Sequence, residues 1–520
     1  MARINSNIPS LVAAKNLATA NADLEVRLTR LATGLRINRG GDDPAGLIIS
    51  ERLRSELSGI EQGIRNSERA SNVIATAEGA LTEVSNLLND LRALVVEAAN
   101  TGAFSPDEIE ANQLQIDSAI DSITRIANSA SFGGLKLLNG SLGYTTSGID
   151  TSNLVKTKVF GVDFGDRDSV NVDVETVTSA QQANVFIQTD FSNINGAWTD
   201  GVLPSTVTIE IAGPLGAQEL TFLSGTDTQD IISGINNLAS VTGVRAEFNN
   251  ADGGGDATSG VRLFSVEYGT ESIVTVEERT NTSAVSLFIQ PPGATTNFVD
   301  FTDGTTFDEG RTDRGQDVAV VVNGNLATGR GLEVSSRVPT LDVQFLLDET
   351  FATNVTGTPE SFVITGGGSK FQLGPSVNAQ QQVNIGLDSI SATRIGGSFV
   401  TLGDGVTQEL QFLSSIKSGG ANALKDGNLA NASEIIETAI EEIASLRGRL
   451  GAFEANVLDT NIRSLQAGVE NITSAESVIR DADFATETAE LTRSQVLSQA
   501  ATSALATANA NASSVLSLLG

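Results

Sequence analysis

The chain has 520 residues, 40% of them hydrophobic, and a formal net charge of -31, with no cysteine and no histidine anywhere. That length supports a sizeable buried core, but the two missing residue types remove disulfides, thiolate nucleophiles, sulfur ligation of metals and the most common general base. So acidic a chain repels phosphate, which makes nucleic acid and anionic membranes unexpected partners.

The acidity is uneven. Residues 1–100 hold 12 acids and 11 bases, a net of -1, whereas residues 141–400 hold 31 acids and 12 bases, a net of -19, so the middle is the solvated part. Aromatics follow the same division: none precedes Phe104, and from Glu454 to Gly520 there is only Phe484. Met1 to Ser10 is polar with no apolar core behind it, so no cleaved secretory signal is expected, and no apolar run reaches the roughly 18 residues of a membrane span.

In chain order, Leu17, Leu24, Leu28, Leu31 and Leu35 keep a three-four spacing, which predicts a helix that packs on other helices and is interrupted at Gly40-Gly41. Asp43-Pro44 reads as an N-cap followed by Pro at the first helical position. The helix it opens is expected to run to about Ala99 through Leu53, Leu57, Ile60, Ile64, Ile74, Leu81, Leu88, Leu91 and Val95, a rod of roughly 80 Å. Ser105-Pro106-Asp107-Glu108 is a capping box, and its helix continues through Ile109, Ile116, Ile120 and Ile123.

After Phe132-Gly133-Gly134 the texture changes to Gly, Thr, Asp and Val with period-two alternation. Val207, Ile209 and Ile211 alternate with Thr208 and Glu210; Val318 to Val322 run into the turn signal Asn323-Gly324; Leu341, Val343, Phe345 and Leu347 line one face of another strand. Gly-rich acidic connections such as Asp252 to Asp256 read as exposed loops. QELTFLS at 218–224 is echoed by QELQFLS at 408–414, which reads as two similar strand segments. Helical patterning returns near Asn431 and carries a seam of Ala455, Leu458, Ile462, Leu465, Val469, Ile472 and Ile479 up to a break at Asp481-Ala482-Asp483. A last helix bears Phe484, Leu491, Leu505, Ala508, Val515, Leu516, Leu518 and Leu519.

Catalytic patterns are weak. Ser414-Ser415-Ile416-Lys417 lacks the companion elements of serine acyl-enzymes, Gly366-Gly367-Gly368-Ser369-Lys370 lacks phosphate-loop spacing, and the pairs Asp166/Asp168 and Asp173/Glu175 read as a solvated acidic face. No catalytic, cofactor or metal site is expected. The terminal helices, rich in small residues and without aromatics, bury too little to order alone and are expected to order against neighbours.

Four stretches resemble bacterial flagellin: Leu31-Ala-Thr-Gly-Leu-Arg-Ile-Asn-Arg-Gly-Gly-Asp-Asp-Pro-Ala-Gly46, Glu78-Gly-Ala-Leu-Thr-Glu83, Ile472 to Glu487 (ITSAESVIRDADFATE) and the ending Val515 to Leu519. The likeness covers about residues 1–140 and 370–520. It implies an α+β fold: a long antiparallel coiled-coil-like helical bundle formed by both chain ends, with a β-rich inserted outer region. Residues 1–42 and 481–520 would line the filament's inner tube, 43–149 and 370–480 would form a helical rod with small β elements, and 150–369 would be the variable surface insert. Of the insert, only Gln218 to Ala246 resembles a known insert element.

The function implied is that of a self-polymerising filament subunit of motility, exported unfolded through the flagellar type III apparatus. A hook-filament junction protein, or a minor flagellin with an adhesive insert, is the alternative. Subunit packing is expected from Leu17, Leu24, Leu28, Leu31, Leu35, Phe484, Leu491, Leu505, Val515, Leu516, Leu518 and Leu519. The intrachain seam is expected from Leu53, Leu57, Ile60, Ile64, Leu81, Leu458, Ile462, Leu465, Val469 and Ile472. The resemblance also implies an export chaperone on 481–520, filament cap and hook-junction proteins as partners, and a Toll-like-receptor surface at Leu88, Asp90, Arg92 and Leu94. Asp90 and Ala93 stand where receptor-active members carry Arg and Glu, so weak recognition is expected.

Overall fold

A computed structural model describes residues 7–100, 102, 105–165, 167–189, 203, 206–248, 261–279, 285–289, 299–300, 311–355, 358–401 and 408–517. The expected loop at Asp252 to Asp256, and Asp166, lie outside the described residues. In chain order the helices are α1 (Ile8–Thr33), α2 (Pro44–Ala98), α3 (Pro106–Ser129), α4 (Thr228–Asn236), α5 (Ala239–Thr242), α6 (Glu349–Thr353), α7 (Leu429–Phe453), α8 (Asp459–Arg480) and α9 (Phe484–Ser517). The chain is helical towards both ends and sheet-rich between them, an α+β protein. It divides into two compact units, one of residues 1–85, 371–383 and 441–520 and the other of 86–370 and 384–440.

In the first unit, Asn7 caps α1 by accepting from Ser10 N at 3.1 Å. The helix stops at Thr33, earlier than the Gly40-Gly41 expected, because Gly34 takes a left-handed conformation (φ 72°) that only glycine adopts without strain. Leu35 therefore leaves the helical seam assigned to it and forms a short antiparallel bridge with Asp481. The link from Gly34 to Asp43 is held by Asp42, whose carboxylate accepts from Asn38 N and Arg39 N, each at 3.0 Å, and by Ile37, which is buried. Those two amides and nearby arginines hold the Asp42 carboxyl below its usual range. Asp43 then caps α2 through Gly46 N at 2.9 Å, and α2 runs for 55 residues.

The first half of α2 lies antiparallel to α8. Glu51 meets Arg480 at 3.3 Å, Arg54 meets Glu476 at 3.7 Å, Asn461 donates to Ser67 at 3.1 Å, and Ser71 bonds Glu454. Two glycines one helical turn apart on α2, Gly59 and Gly63, admit the segment 371–383: a Cβ on Gly63 would lie 2.8 Å from Leu373 O, and one on Gly59 would lie 2.9 Å from Pro375. Asn66 and Asn461 fasten that segment through Gln372 O (3.1 Å) and Leu373 O (2.9 Å). Between α7 and α8 the helix widens into a π turn at Glu454–Leu458, which the apolar spacing had been read straight through; Ala455, assigned to the seam, is exposed there.

In the second unit, α3 opens with the expected capping box, Ser105 and Glu108 each bonding the other's backbone amide. Its Ile116, Ile120 and Ile123 are buried. Gln113 and Asp117 clamp the segment 413–424. Gln113 donates to Ile416 O (2.9 Å) and accepts from Leu424 N (2.8 Å), and Asp117 accepts from Ser418 N (2.9 Å). Ser414 to Ile416 form a 3-10 turn here with Ile416 buried, so the serine-lysine pattern is structural.

Two β modules follow. The first packs a sheet ordered Asn325–Leu326, Ala319–Val322, Val170–Thr178, Glu360–Gly367, Tyr144–Ser147 with another ordered Thr328–Arg330, Glu333–Val338, Leu341–Leu347, Leu154–Val162. Their shared core contains Leu341, Val343, Phe345 and Leu347. Asn323 and Gly324 have positive φ (47° and 81°) and close the tight hairpin read from the sequence. The triple glycine at 366–368 also has positive φ and ends a strand with no helix after it, unlike a phosphate loop. The second module packs the strands Val299–Asp300, Val285–Ile289, Gln182–Thr189, Val261–Tyr268, Val244–Phe248 with Arg311–Arg314, Ile273–Glu278, Val207–Ala212, Ala217–Phe222. Val207, Ile209 and Ile211 fill its core with Ile231 and Ile235 of α4. Both echoed segments are second strands of antiparallel hairpins, Ala217–Phe222 and Gln408–Gln411.

Phe345 is fully buried and meets Phe362 edge-on, with centroids 5.9 Å apart. Phe345→Ala is expected to cost the first β module about 3–5 kcal/mol. In a denaturant titration followed by hydrogen exchange, Val172 and Val343 amides should lose protection at lower denaturant. Unchanged midpoints would contradict this packing.

Candidate functional site

The helices α1 and α9 run as a pair with few fully buried apolar side chains among the described residues. It is antiparallel: Asn7 donates to Ala508 O (3.1 Å), Ser10 to Asn509 (2.7 Å), Ser498 to Asn21 (2.8 Å), and the arginines near the end of α1 reach the start of α9. Asp483 caps α9 through Ala485 N at 2.9 Å and Thr486 Oγ1 at 2.9 Å, bonds that hold its carboxyl below the usual range. At the base, Arg36 N donates to Arg480 O (2.7 Å) and Ala482 N to Gly34 O (2.9 Å), tying the roots of the two helices together.

Glu487 is the electrostatic centre. It is 5% exposed and accepts from Arg27 at 3.0 Å and Arg30 at 3.1 Å. Burial acts to raise its carboxyl, but the two guanidinium hydrogen bonds and their charges outweigh burial and hold it below the usual glutamate range. The sequence reading missed this cluster. Its signal was an acid in the first turn of the last helix and two arginines three apart near the end of the first.

Among the described side chains of α1 only Ala13 and Ala20 are buried apolar groups. Leu17, Leu24, Leu31 and, beyond the helix, Leu35 are half-buried, as are Leu491 and Leu505, while Leu28 and Phe484 are exposed. Leu11 is 77% exposed and Val496 60%, with Ile8, Val12 and Leu497 also open. Val515 and Leu516 lie in α9 with side chains outside the described set, and Leu518 and Leu519 lie outside the described residues.

Of the residues expected in the intrachain seam, Ile60, Leu81 and Leu458 are buried, and Leu53, Leu57, Ile64, Ile462, Leu465, Val469 and Ile472 are half-buried. Of the four residues expected at a receptor surface, Leu88 is fully buried and presents no surface. Leu94 is half-buried, Asp90 is exposed, and the exposed Arg92 pairs with Glu437 at 2.6 Å.

Because the folded carboxyl of Glu487 is depressed, its stabilisation is complete above the ordinary glutamate value of about 4.3 and is lost as pH falls through the folded value. Far-UV circular dichroism of the monomer between pH 6 and pH 2 is expected to show loss of α1 and α9 helicity on acidification. Glu487→Gln should weaken that pH dependence, and identical profiles would refute the role.

Two family models match the chain: the bacterial flagellin N-terminal helical region over residues 4–142 and the bacterial flagellin C-terminal helical region over 433–519. The chain is 30% identical to a B-type flagellin of Pseudomonas aeruginosa and 26% identical to a flagellin of Salmonella muenchen, each alignment covering 99% of both proteins. Among solved structures, the crystal structure of Xanthomonas campestris FlgL aligns with 81% of this chain and 98% of its own at 12% identity and a TM-score of 0.27. The chain belongs to the bacterial flagellin family and is a structural subunit of the extracellular flagellar filament.

Proposed function

We propose that self-assembly runs through the α1–α9 pair, with residues 1–42 and 481–520 forming the inner tube of the filament. The observation that carries this reading is the exposure of apolar side chains on both helices, Ile8, Leu11, Val12 and Leu28 of α1 and Phe484, Val496 and Leu497 of α9. A helix pair with so few buried apolar groups gains little from its own packing, and copies of itself supply the missing contacts. Heterologous contacts that do not close on themselves generate helical fibres.

In this reading, 43–149 and 370–480 form a coiled-coil-like antiparallel rod, supported by the three-four spacing of Leu458, Ile462, Leu465, Val469 and Ile472 against α2. Residues 150–369 form the β-rich outer insert, supported by the net charge of -19 over 141–400. The chain leaves the cell unfolded through the flagellar type III apparatus, with an export chaperone covering 481–520 until release. Cap and hook-junction proteins are its end partners. Recognition by a Toll-like receptor is weak, since Leu88 is buried and Asp90 brings a negative charge to the exposed face of α2.

Removing residues 481–520 is expected to give a soluble monomer that forms no filaments after salt or seed addition, as judged by electron microscopy. Filaments of normal length from the truncated protein would overturn the proposal. A receptor-signalling assay on purified monomer should give low potency, and full potency would refute the receptor reading.

A further inference from the structure

Two stretches of chain pass between the β modules of the second unit, 178–182 and 314–319, and the loop 268–273 of the second module meets them. The crossing is welded by backbone. Gln181 and Gln316 exchange amide hydrogen bonds, both 2.9 Å; Gly269 N also donates to Gln181 O at 3.2 Å, and Gly315 N donates to Ser272 O at 3.0 Å. The stretches approach so closely that side chains are excluded. A Cβ on Gly315 would lie 2.4 Å from Gln181 O, and one on Gly269, where φ is 103°, would lie 2.7 Å from Gly331 Cα.

Asp317 sits at the centre of this crossing. Its carboxylate accepts from Gly331 N (2.8 Å), Thr270 N (3.1 Å) and Thr270 Oγ1 (2.6 Å), so one side chain fastens three separate parts of the chain. Tyr268 adds a second fastening. It ends a strand of the second module, yet its ring packs on the first module's core and its hydroxyl donates to Glu349 in α6.

We propose that this crossing is a rigid neck, latched by Asp317, that makes the two β modules one mechanical body. Modules that swing independently are joined by single, solvated linkers. Here two connections run together, bonded to each other and to the 268–273 loop, so the second module is displayed in one orientation on the first.

The chain has no cysteine, so introduced cysteines are the only thiols available for spin labels. Asn325→Cys in the first module and Gln218→Cys in the second are exposed positions. Double electron-electron resonance on the full-length monomer is expected to give one narrow distance distribution for this pair. Asp317→Ala should at least double its width, with Thr270→Val intermediate. A control pair within the second module, Gln218→Cys with Asp230→Cys, should stay equally narrow in every background. A broad or two-peaked distribution in the parent would overturn the proposal, and so would a narrow one in a folded Asp317→Ala protein. Should Asp317→Ala fail to fold, the parent and Thr270→Val decide: unchanged width in Thr270→Val would count against the latch.

Discussion

The short backbone ladder between 34–36 and 480–482 is the constraint on which the first unit depends. On one side of it α2 and α8 run as an antiparallel pair, and on the other α1 and α9 do the same. Because both pairs grow from one fixed junction, the partner of each residue is set by counting outward from it. Everything between Leu35 and Asp481 is a closed excursion of the chain. The entropy cost of closing such a loop rises only with the logarithm of its length, so a large sheet-rich middle burdens the helical ends little.

The two helix pairs on either side of the junction are stabilised differently. α2 and α8 meet through an apolar seam with polar fastenings, including the asparagines that hold the 371–383 segment. α1 and α9 are fastened by polar contacts and one buried ion cluster, with Leu17, Leu24, Leu31, Leu491 and Leu505 half-buried along them. The bonds and charges of the two arginines outweigh the desolvation of the buried carboxylate, so the cluster stabilises the pair while Glu487 is ionised. It also fixes register: sliding α9 by one turn would leave Glu487 buried without partners. The cluster thus sets which residues of α1 and α9 stand opposite one another.

Much of this was legible in the sequence. The extent of α2 followed from Asp43-Pro44 and its apolar spacing, the α3 cap from Ser105 and Glu108, and the hairpin from Asn323-Gly324, because each of these signals acts over a few residues. Leu341 to Leu347 were placed inward because a strand alternates. What could not be read was set by distant partners. The one local signal passed over was Gly34, whose left-handed cap ends α1 where spacing alone carries the helix on to Leu35. Leu88 looked like surface by resemblance and like core by spacing, and burial followed the spacing. Glu487 and Asp317 owe their roles to groups hundreds or tens of residues away, which no local pattern reports.

The π turn at Glu454–Leu458 has a numerical counterpart in the chain. Ile443 and Leu450 are seven residues apart, as are Leu458 and Leu465, and Leu465 and Ile472, but Leu450 and Leu458 are eight apart. The wider turn absorbs that one extra residue, which would otherwise rotate everything after it by about 100° about the helix axis. The helix thus carries a phase correction written into its own length. A single-residue deletion at this turn and a single-residue insertion elsewhere in the helix are opposite changes. The first would straighten the helix and still keep the later seam in phase, whereas the second would need another wide turn to restore it.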